Sequence, residues 1–411
     1  MLQIKVEDLY IIKKETIAKA LFYIGMVIAY LGSLNPWVMW PIGPLYVFPS
    51  FFFIALSMAI SRNLQRPLFS RKEFLPASLA VAILEIYLLI INDANINGFI
   101  VNLVHIAIFY SIFKVNTELM IRFCDIMCRI MGLILCVSIP FFVLYYIGFP
   151  LPSQNAEFGD GLYSYTNYFF FLVDDRDLFS IFPRFSCIFL EPGHLGTATV
   201  LLLMTQFGKW KKWYNSIMIV ATLITFSLAA YVLFVIIIFL NLWNQGKRFV
   251  SRLIYVIIAT ASITIGAFFY NGGENLLHDL ILIRLEINDG DMVGNNRVTD
   301  DFDSEFESFL KSSDILFGRD MDKESSGNSG YKVYIYENGF IGLFLVFIFY
   351  ACWMIYGTNK RALFSSLLIA ALTFIVRGYP LWYCNFIPLY SLIFTPSFLI
   401  SNTKGAEGEQ S

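Results

Sequence analysis

Three residues with chemically useful side chains, Arg184, Glu191 and His194, stand together at the start of an apolar segment. That segment, 187–207, is long enough to cross a bilayer. An ionisable side chain at membrane depth is energetically costly, so its presence there indicates a functional site. A guanidinium beside a carboxylate and an imidazole could bind an anion and accept a proton.

The spacing of these residues indicates how they are held. On a helix, Arg184 and Glu191 would lie on one face, about two turns apart. Pro192 and Gly193 follow directly and predict an interrupted helix, which a membrane protein tolerates where the freed backbone faces protein or a wet cavity. The same helix face allows a structural alternative, in which Glu191 forms an ion pair with Arg184.

The composition is that of a polytopic membrane protein. Of the 411 residues, 57% are hydrophobic and only 15% are charged, whereas soluble domains carry about 25% charged residues. A net charge of −2 argues against nucleic acid as a partner. The six cysteines lie mostly in apolar stretches and form no disulfide framework, and three histidines are too few for a His-rich zinc site.

Hydropathy predicts an all-α, polytopic transmembrane bundle of about twelve spans in a single integral membrane domain, 1–411. The predicted spans are 17–34, 40–60, 74–92, 97–113, 124–148, 187–207, two short spans within 213–243, then 250–270, 333–357, 361–376 and 381–400. The run 213–243 is too long for one ordinary span. A break near Phe226-Ser227, giving two spans or a re-entrant hairpin, returns Lys247 and Arg248 to the side that holds the other basic residues.

Basic residues alternate between loops, which predicts the orientation. Lys13, Lys14 and Lys19 precede the first span and place the N-terminus in the cytoplasm. Both termini are expected there, and the polar tail 401–411 is expected to be disordered. Two large loops then lie outside: 150–186, rich in Tyr and Phe, and 271–331. The aromatic residues of the first loop could stack on sugar rings or form an interfacial belt.

The second outer loop, 271–331, is acidic, with fourteen Asp or Glu against five Lys or Arg. Apolar residues recur in it at helical spacing, at Val298, Phe302, Phe306, Phe309 and Leu310. Asp300, Asp301 and Asp303 occupy the first turn, where the helix dipole favours anions. This pattern predicts an amphipathic helix lying over the mouth of the membrane domain.

An extracytoplasmic site lacks ATP, so group transfer there requires a substrate with its own activating group, such as a lipid-linked diphosphate sugar. The planar fork of arginine matches the diphosphate leaving group. The predicted topology places these arginines on or near the outer face: Arg184, Arg284, Arg297, Arg319 and Arg377. Arg377 links two spans on the side where positive charge is normally scarce. For each arginine the alternative is a structural pair with an acidic neighbour.

The stretch 184–196, RFSCIFLEPGHLG, resembles the R-F-x-x-I-F-x-E-P-x-x-x-G signature of bacterial O-antigen and capsular polysaccharide polymerases. Three further matches follow in order. Thr225-Phe226-Ser227 resembles the family's Thr-x-Ser turn between two short spans. Asn296-Arg297 with 315–319 is similar to the family's arginine-to-L-F-G stretch. The segment 331–343 resembles the Y-x-x-x-x-E-x-G-I-I-G-L entry to the next span.

Two positions depart from these patterns. Leu228 stands where the family often has an arginine, and Asn328 stands where the related O-antigen ligases carry a histidine. The resemblance covers 184–343, whereas the N-terminal spans match in hydropathy alone.

The resemblance implies a glycosyltransferase of the bacterial inner membrane that uses no cofactor. The acidic loop lacks a recognisable metal-ligand pattern, so no metal is implied. The enzyme would polymerise undecaprenyl-diphosphate-linked repeat units into O-antigen, capsule or exopolysaccharide. Its partners would be the lipid-linked glycan donor and acceptor, membrane lipid and a chain-length regulator. Diphosphate recognition falls to Arg184, Arg297, Arg319 and Arg377. Glu191 is the preferred base or acceptor-orienting group, and His194 is the second choice.

A transporter or flippase of a lipid-linked glycan is the alternative. Transporters favour internal repeats and charges at the midplane, but the sequence shows no repeat and offers only Glu85 and His105 near the midplane. Asp125 and Arg129, four residues apart, are predicted to form a local ion pair near the cytoplasmic end. A receptor or structural subunit would leave the outer arginines unexplained.

Overall fold

A computed structural model describes most of the chain. It covers residues 6–65, 71–92, 96–159, 163–175, 183–207, 209–245, 300–320, 330–355 and 360–394, with single residues and pairs between 254 and 292. The fold is mostly helical. The helices are α1 Val6–Gly32, α2 Val47–Ile60, α3 Arg71–Ile91, α4 Ile96–Lys114, α5 Thr117–Tyr146, α6 Pro192–Thr205, α7 Trp213–Ile224, α8 Leu228–Gln245, α9 Asp300–Leu310, α10 Gly330–Met354, α11 Lys360–Arg377 and α12 Tyr383–Leu392.

Six helices in the described ranges are long and apolar enough to cross a membrane. They are Lys13–Gly32, Trp37–Ile60 (where 3₁₀ turns Trp37–Tyr46 lead into α2), Phe74–Ile91, Ile96–Lys114, Thr117–Tyr146 and Gly330–Met354. Large apolar side chains such as Phe344 and Phe347 expose 61% and 64% of their surface. So many exposed apolar side chains suit a lipid environment, and the protein is a membrane protein.

The two ends of the bundle differ in charge. At one end, the backbone N–H of Asn116 donates to Leu64 O at 2.9 Å, and Lys209 lies 3.5 Å from Asp125. This end gathers many of the lysines and arginines between the helices. At the opposite end, Pro36 pairs with Phe189, and Trp37 Nε1 donates to Phe169 O at 3.0 Å. We call this second end the outer end, after the orientation that the sequence predicts.

Helix α6 lies at the centre of the fold. Every residue from Gly193 to Thr205 is buried, and the helix packs against α5, α7, α8 and α12. Small side chains permit the close packing: a Cβ at Gly196 would lie 2.7 Å from the Cβ of Ala230 in α8. Thr199 and Thr222 share a hydrogen bond of 2.8 Å between α6 and α7. The N-terminal half of α6 is thereby packed tightly between α7 and α8.

The expectation of an all-α fold is wrong for the first outer loop, 150–186. That loop contains an antiparallel sheet of three strands, β1 Gln154–Phe158, β2 Tyr163–Asn167 and β3 Leu172–Asp174. Its aromatic residues are largely packed against the protein. Tyr165 and Phe171 are buried, and Tyr168 stacks on Phe171 with ring centroids 4.8 Å apart. Another short pair, β4 Ile287–Asn288 and β5 Asp291–Met292, lies in the second loop.

The sixth predicted span, 187–207, begins too early. Residues 183–191 are not helical, and α6 starts at Pro192, so Arg184 and Glu191 do not share a helix face. Proline lacks a backbone N–H and its φ suits the first helical position, which explains the later start. Helix α12, Tyr383–Leu392, lies within the predicted final span 381–400. Residues 395–400 and most of the predicted span 250–270 lie outside the described residues.

Other predictions are confirmed. The run 213–243 breaks at residues 225–227, between α7 and α8. The amphipathic helix of the acidic loop is α9, and three of its aromatic residues pack against Ile335 and Tyr336 of α10: Phe302, Phe306 and Phe309. Leu310 is exposed. Arg129 and Asp125 form the expected ion pair at 2.8 Å. Arg284, Asn296, Arg297, Val298, Asn328 and the tail 401–411 lie outside the described residues.

Candidate functional site

An ion pair between distant parts of the chain forms the centre of the candidate site. Arg377 Nη1 lies 2.6 Å from Glu191 Oε2, and the two side chains expose only 11% and 23% of their surface. Arg377 is the last residue of α11 and Glu191 is the N-cap of α6. Each charge therefore sits at the helix end that the helix dipole favours.

Gly193 allows the guanidinium to approach the first turn of α6. A Cβ at this position would lie 1.9 Å from Nη2 of Arg377 and 3.6 Å from Oγ of Ser227. The Nε of Arg377 is buried and has no hydrogen-bond partner among the residues that the structure describes. Arg377 thus carries hydrogen-bonding capacity beyond its contact with Glu191.

The Thr225-Phe226-Ser227 turn brings the N-terminus of α8 next to the first turn of α6. Thr225 Oγ1 donates to Thr222 O at 2.7 Å at the end of α7, and Phe226 adopts a positive φ of 46°. Ser227 Oγ accepts from the backbone N–H of Ala230 and so caps α8. The N-termini of α6 and α8 both carry partial positive charge, which favours an anion between them.

Arg184 forms a hydrogen bond with the same turn. Its Nε donates to Thr225 O at 3.3 Å, at the C-terminal end of α7, where the helix dipole favours a cation. The neighbouring Phe185 N–H donates to Ile224 O, and the Phe185 side chain is fully buried. The segment before α6 is therefore fixed without a helix.

His194 lies beneath the ion pair. Its Nε2 is 3.9 Å from Glu191 Oε2, and its side chain is almost completely buried. Its ring packs at a steep angle against the ring of Trp382, with centroids 4.8 Å apart. Trp382 in turn stacks in parallel on Tyr379, with centroids 4.2 Å apart. The imidazole is thus held between a carboxylate and an aromatic wall.

Arg319 belongs to a separate arrangement in the second loop. Its Nε donates to Asp314 Oδ2 at 2.6 Å, its guanidinium lies over the ring of Phe309, and its backbone N–H donates to Tyr336 O. The hydrogen bond from Arg319 lowers the pKa of the Asp314 carboxyl below its ordinary value.

The loop that carries Arg319 packs closely on the start of α10. Gly318 and Gly339 both have positive φ, and a Cβ at Gly339 would lie 2.2 Å from Leu316 O. Tyr87 Oη of α3 donates to Asn338 O at 2.8 Å, beside this interruption of α10. Glycine is required where two backbones approach this closely. The loop and the interrupted helix therefore form one packed unit at the outer end.

Of the six residues predicted for the site, Glu191, His194 and Arg377 come together, and Arg184 reaches the same turn through Thr225. The contacts of Arg319 are within the loop and with α10, and Arg297 lies outside the described residues. Three residues of the site were not predicted from the sequence: Ser227 as a cap, Trp382 as the neighbour of His194, and Tyr379 as the ring stacked on Trp382. The aromatic run that follows Arg377 was the available signal for the last two.

The midplane residues considered for a transporter lie elsewhere. Glu85 is buried in α3, and His105 Nδ1 shares a hydrogen bond of 2.7 Å with the Tyr383 hydroxyl. Within the described ranges, no group of three or more His, Cys, Asp or Glu residues could hold a metal ion.

No protein family, curated protein or solved structure matches this chain.

Proposed function

We propose that this protein is a membrane glycosyltransferase that polymerises undecaprenyl-diphosphate-linked oligosaccharide repeats at the outer face of the bacterial inner membrane. The observation that carries the proposal is the convergence of positive potential on one spot at the outer end. Arg377 and the N-termini of α6 and α8 meet there, and Arg184 is bonded to the same turn. Oriented backbone dipoles and guanidinium groups are suited to binding a diphosphate.

The proposed topology has about twelve passes: the six long helices, the shorter helices α6, α7, α8, α11 and α12, and the predicted span 250–270. The end that contains Lys209 faces the cytoplasm, as do both termini. Loops 150–186 and 271–331 then lie together on the outer side. This orientation supports a substrate that arrives with its own leaving group, since no ATP is available there.

A groove on the surface of the bundle supports a lipid-linked substrate. It has a volume of about 450 Å³ and lies between α10 and α11, lined almost wholly by apolar side chains such as Phe340, Phe344, Phe347 and Phe374. Phe374 precedes Arg377 by one helical turn. An isoprenoid chain in this groove would leave its diphosphate next to the guanidinium of Arg377.

In the proposed reaction, an acceptor hydroxyl oxygen bonds to C1 of the first donor sugar. The bond between C1 and the diphosphate oxygen breaks, and its electron pair leaves with the diphosphate, which Arg377 and Arg184 stabilise. The hydroxyl proton passes to the carboxylate of Glu191. Because Arg377 is shared between Glu191 and the departing diphosphate, its shift toward phosphate makes Glu191 more basic as the proton arrives. The imidazole of His194, 3.9 Å from the same carboxylate, is the second candidate for the proton acceptor.

The test uses purified protein in liposomes that contain lipid-linked repeat units and no ion gradient. A polymerase lengthens the repeats, which appear as a ladder after electrophoresis. A flippase instead moves single repeats between the leaflets without lengthening them, and this outcome would contradict the proposal. In cells, deletion of the gene should replace long surface glycan with single repeats.

A further inference from the structure

Two aromatic rings border the Arg377–Glu191 pair and form a rigid platform. Tyr379 and Trp382 are stacked with centroids 4.2 Å apart and ring planes only 2° from parallel. The turn that carries them is fixed by Gly378, which has φ 61° and lies so close to Gly330 that a Cβ would meet its carbonyl oxygen at 2.1 Å. The backbone N–H of Trp382 donates back to Tyr379 O. The platform is therefore ordered before any ligand arrives.

Tyr379 remains accessible despite this stacking. The residue exposes 47% of its surface, while Trp382 is half-buried. Trp382 covers one face of the Tyr379 ring, so the opposite face is the one available to a ligand. An exposed ring face of this kind carries partial negative charge and attracts the weakly positive C–H groups of a ligand.

The hydroxyl of Tyr379 lies within electrostatic range of charged and polar groups from four elements. Burial of this hydroxyl raises the pKa of Tyr379, and the hydroxyl interacts electrostatically with four nearby groups: Arg377, Glu191, Glu337 and Tyr163. Glu337 lies beside the interruption of α10, and Tyr163 begins β2. An aromatic face bordered by carboxylates and hydroxyls matches a pyranose ring, which presents C–H bonds on one face and hydroxyl groups around its rim.

A membrane-interface belt is the other common role of exposed tyrosine and tryptophan. Belt residues face lipid headgroups from the outside of the bundle. Tyr379 instead lies two residues after Arg377, and Trp382 contacts His194 at the first turn of the central helix. The platform is thus part of the candidate site.

We propose that Tyr379, supported by Trp382, is a sugar-binding platform for the first sugar of the donor, the one bonded to the diphosphate, with the carboxylates of Glu191 and Glu337 facing its hydroxyl groups. This inference depends on the proposed function, because it requires the diphosphate to lie on Arg377. A diphosphate in that position brings the attached sugar over Tyr379, since the two residues belong to one turn.

The experiment compares two probes in nanodiscs: undecaprenyl diphosphate alone, and the same lipid carrying one repeat unit. Tyr379→Ala should weaken binding of the sugar-bearing probe about tenfold, equivalent to about 1.4 kcal/mol, and leave binding of the bare lipid unchanged. Tyr379→Phe should bind both probes nearly as the wild type does. Arg377→Ala should weaken binding of both. Tyr146→Ala is the matched control, because Tyr146 also exposes 47% of its surface and ends α5 at the outer end.

If Tyr379→Ala weakened binding of both probes equally, Tyr379 would have a structural role and the inference would be overturned. If Tyr379→Ala bound both probes as the wild type does, the inference would also be overturned. In that case, weaker binding of both probes by Arg377→Ala would still support the proposed function. If the wild-type protein bound neither probe, the proposed function itself would fail, and the platform with it.

Discussion

Arg377 and Glu191 are 186 positions apart in the sequence, yet their side chains meet at 2.6 Å. The pair connects the C-terminal end of α11 to the N-cap of α6, the helix that lies at the centre of the fold. Because both side chains are largely removed from water, neither charge can be lost without leaving the other poorly compensated. The pair is therefore a structural link as well as a candidate for chemistry, and the two roles must be separated by experiment.

The first prediction separates these roles with Glu191→Gln, Arg377→Met and the double variant. Each single variant should lower the free energy of unfolding by on the order of 3 kcal/mol, because one charge is left without its partner. The loss of unfolding free energy in the double variant should be clearly smaller than the sum of the two single losses. Polymer synthesis should fall about 100-fold or more in both single variants, and the double variant should not recover it.

Thermal melting and the ladder assay on the same purified samples measure the two effects. The matched control is the exposed pair of Arg122 and Glu118, at 2.6 Å on α5. Removing this pair should change the melting temperature and the polymer synthesis little. If the double variant regained both stability and polymer synthesis, the pair would be structural only.

The second prediction concerns Gly193→Ala. The added methyl group would meet Nη2 of Arg377, the end of a flexible side chain, so the guanidinium should move while the fold remains. A displacement of about 1 Å in a positioned group can reduce activity roughly 100-fold. We therefore expect a large loss of polymer synthesis with a melting temperature close to that of the wild type.

Two comparisons complete this second test. Gly266→Ala introduces a methyl group with no atom of the described residues within 4 Å and should behave as the wild type. In the Arg377→Met background, Gly193→Ala should cause no further loss, because the group that it displaces is already gone. If Gly193→Ala caused a further loss of polymer synthesis in that background, it would act through a group other than Arg377.

Local features of the site could be predicted from the sequence. The Pro192-Gly193 pair marks the helix start, and Thr225 and Ser227 end one helix and cap the next through short-range hydrogen bonds. These features depend on neighbours within a few positions. The partner of Glu191 is set by contacts between distant parts of the chain. Arg184 and Arg377 were both candidates from the sequence. The tertiary fold, which brings the end of α11 to the start of α6, selects Arg377.

The sheet in the first outer loop was missed for a related physical reason. Hydropathy identifies long apolar runs, but the strands β1 to β3 are three to five residues long and carry mixed polar and aromatic side chains. Their stability depends on burial of Tyr165 and Leu172 against Leu190, which lies just before α6. A contact of that kind is set by the tertiary fold and leaves little trace in the local pattern.

The third prediction concerns the loop contact between Arg319 and Asp314. Because the hydrogen bond from Arg319 depresses the pKa of Asp314 in the folded state, its stabilising effect is present above the unfolded pKa, about 3.9. The effect is lost as the pH falls through the lower folded value. Asp314→Asn should therefore lower the melting temperature modestly at neutral pH, and the difference from the wild type should disappear in acid, once the carboxyl of folded Asp314 is protonated. A difference that persists in acid would exclude the ionised contact as its cause.

The last prediction tests whether the two outer loops face the same compartment. Ser164→Cys lies on an exposed position of β2, and Ser308→Cys lies on the exposed side of α9. In spheroplasts, a membrane-impermeant maleimide should label both variants without lysis. Lys211→Cys, exposed at the opposite end, should be labelled only after the cells are opened, and the wild-type protein reports the background from the native cysteines. Because the proposed site requires the sheet, the turn at Ser227 and the acidic loop to enclose one extracytoplasmic space, labelling of Ser164→Cys and Ser308→Cys under different conditions would rule out both the topology and the proposed transferase.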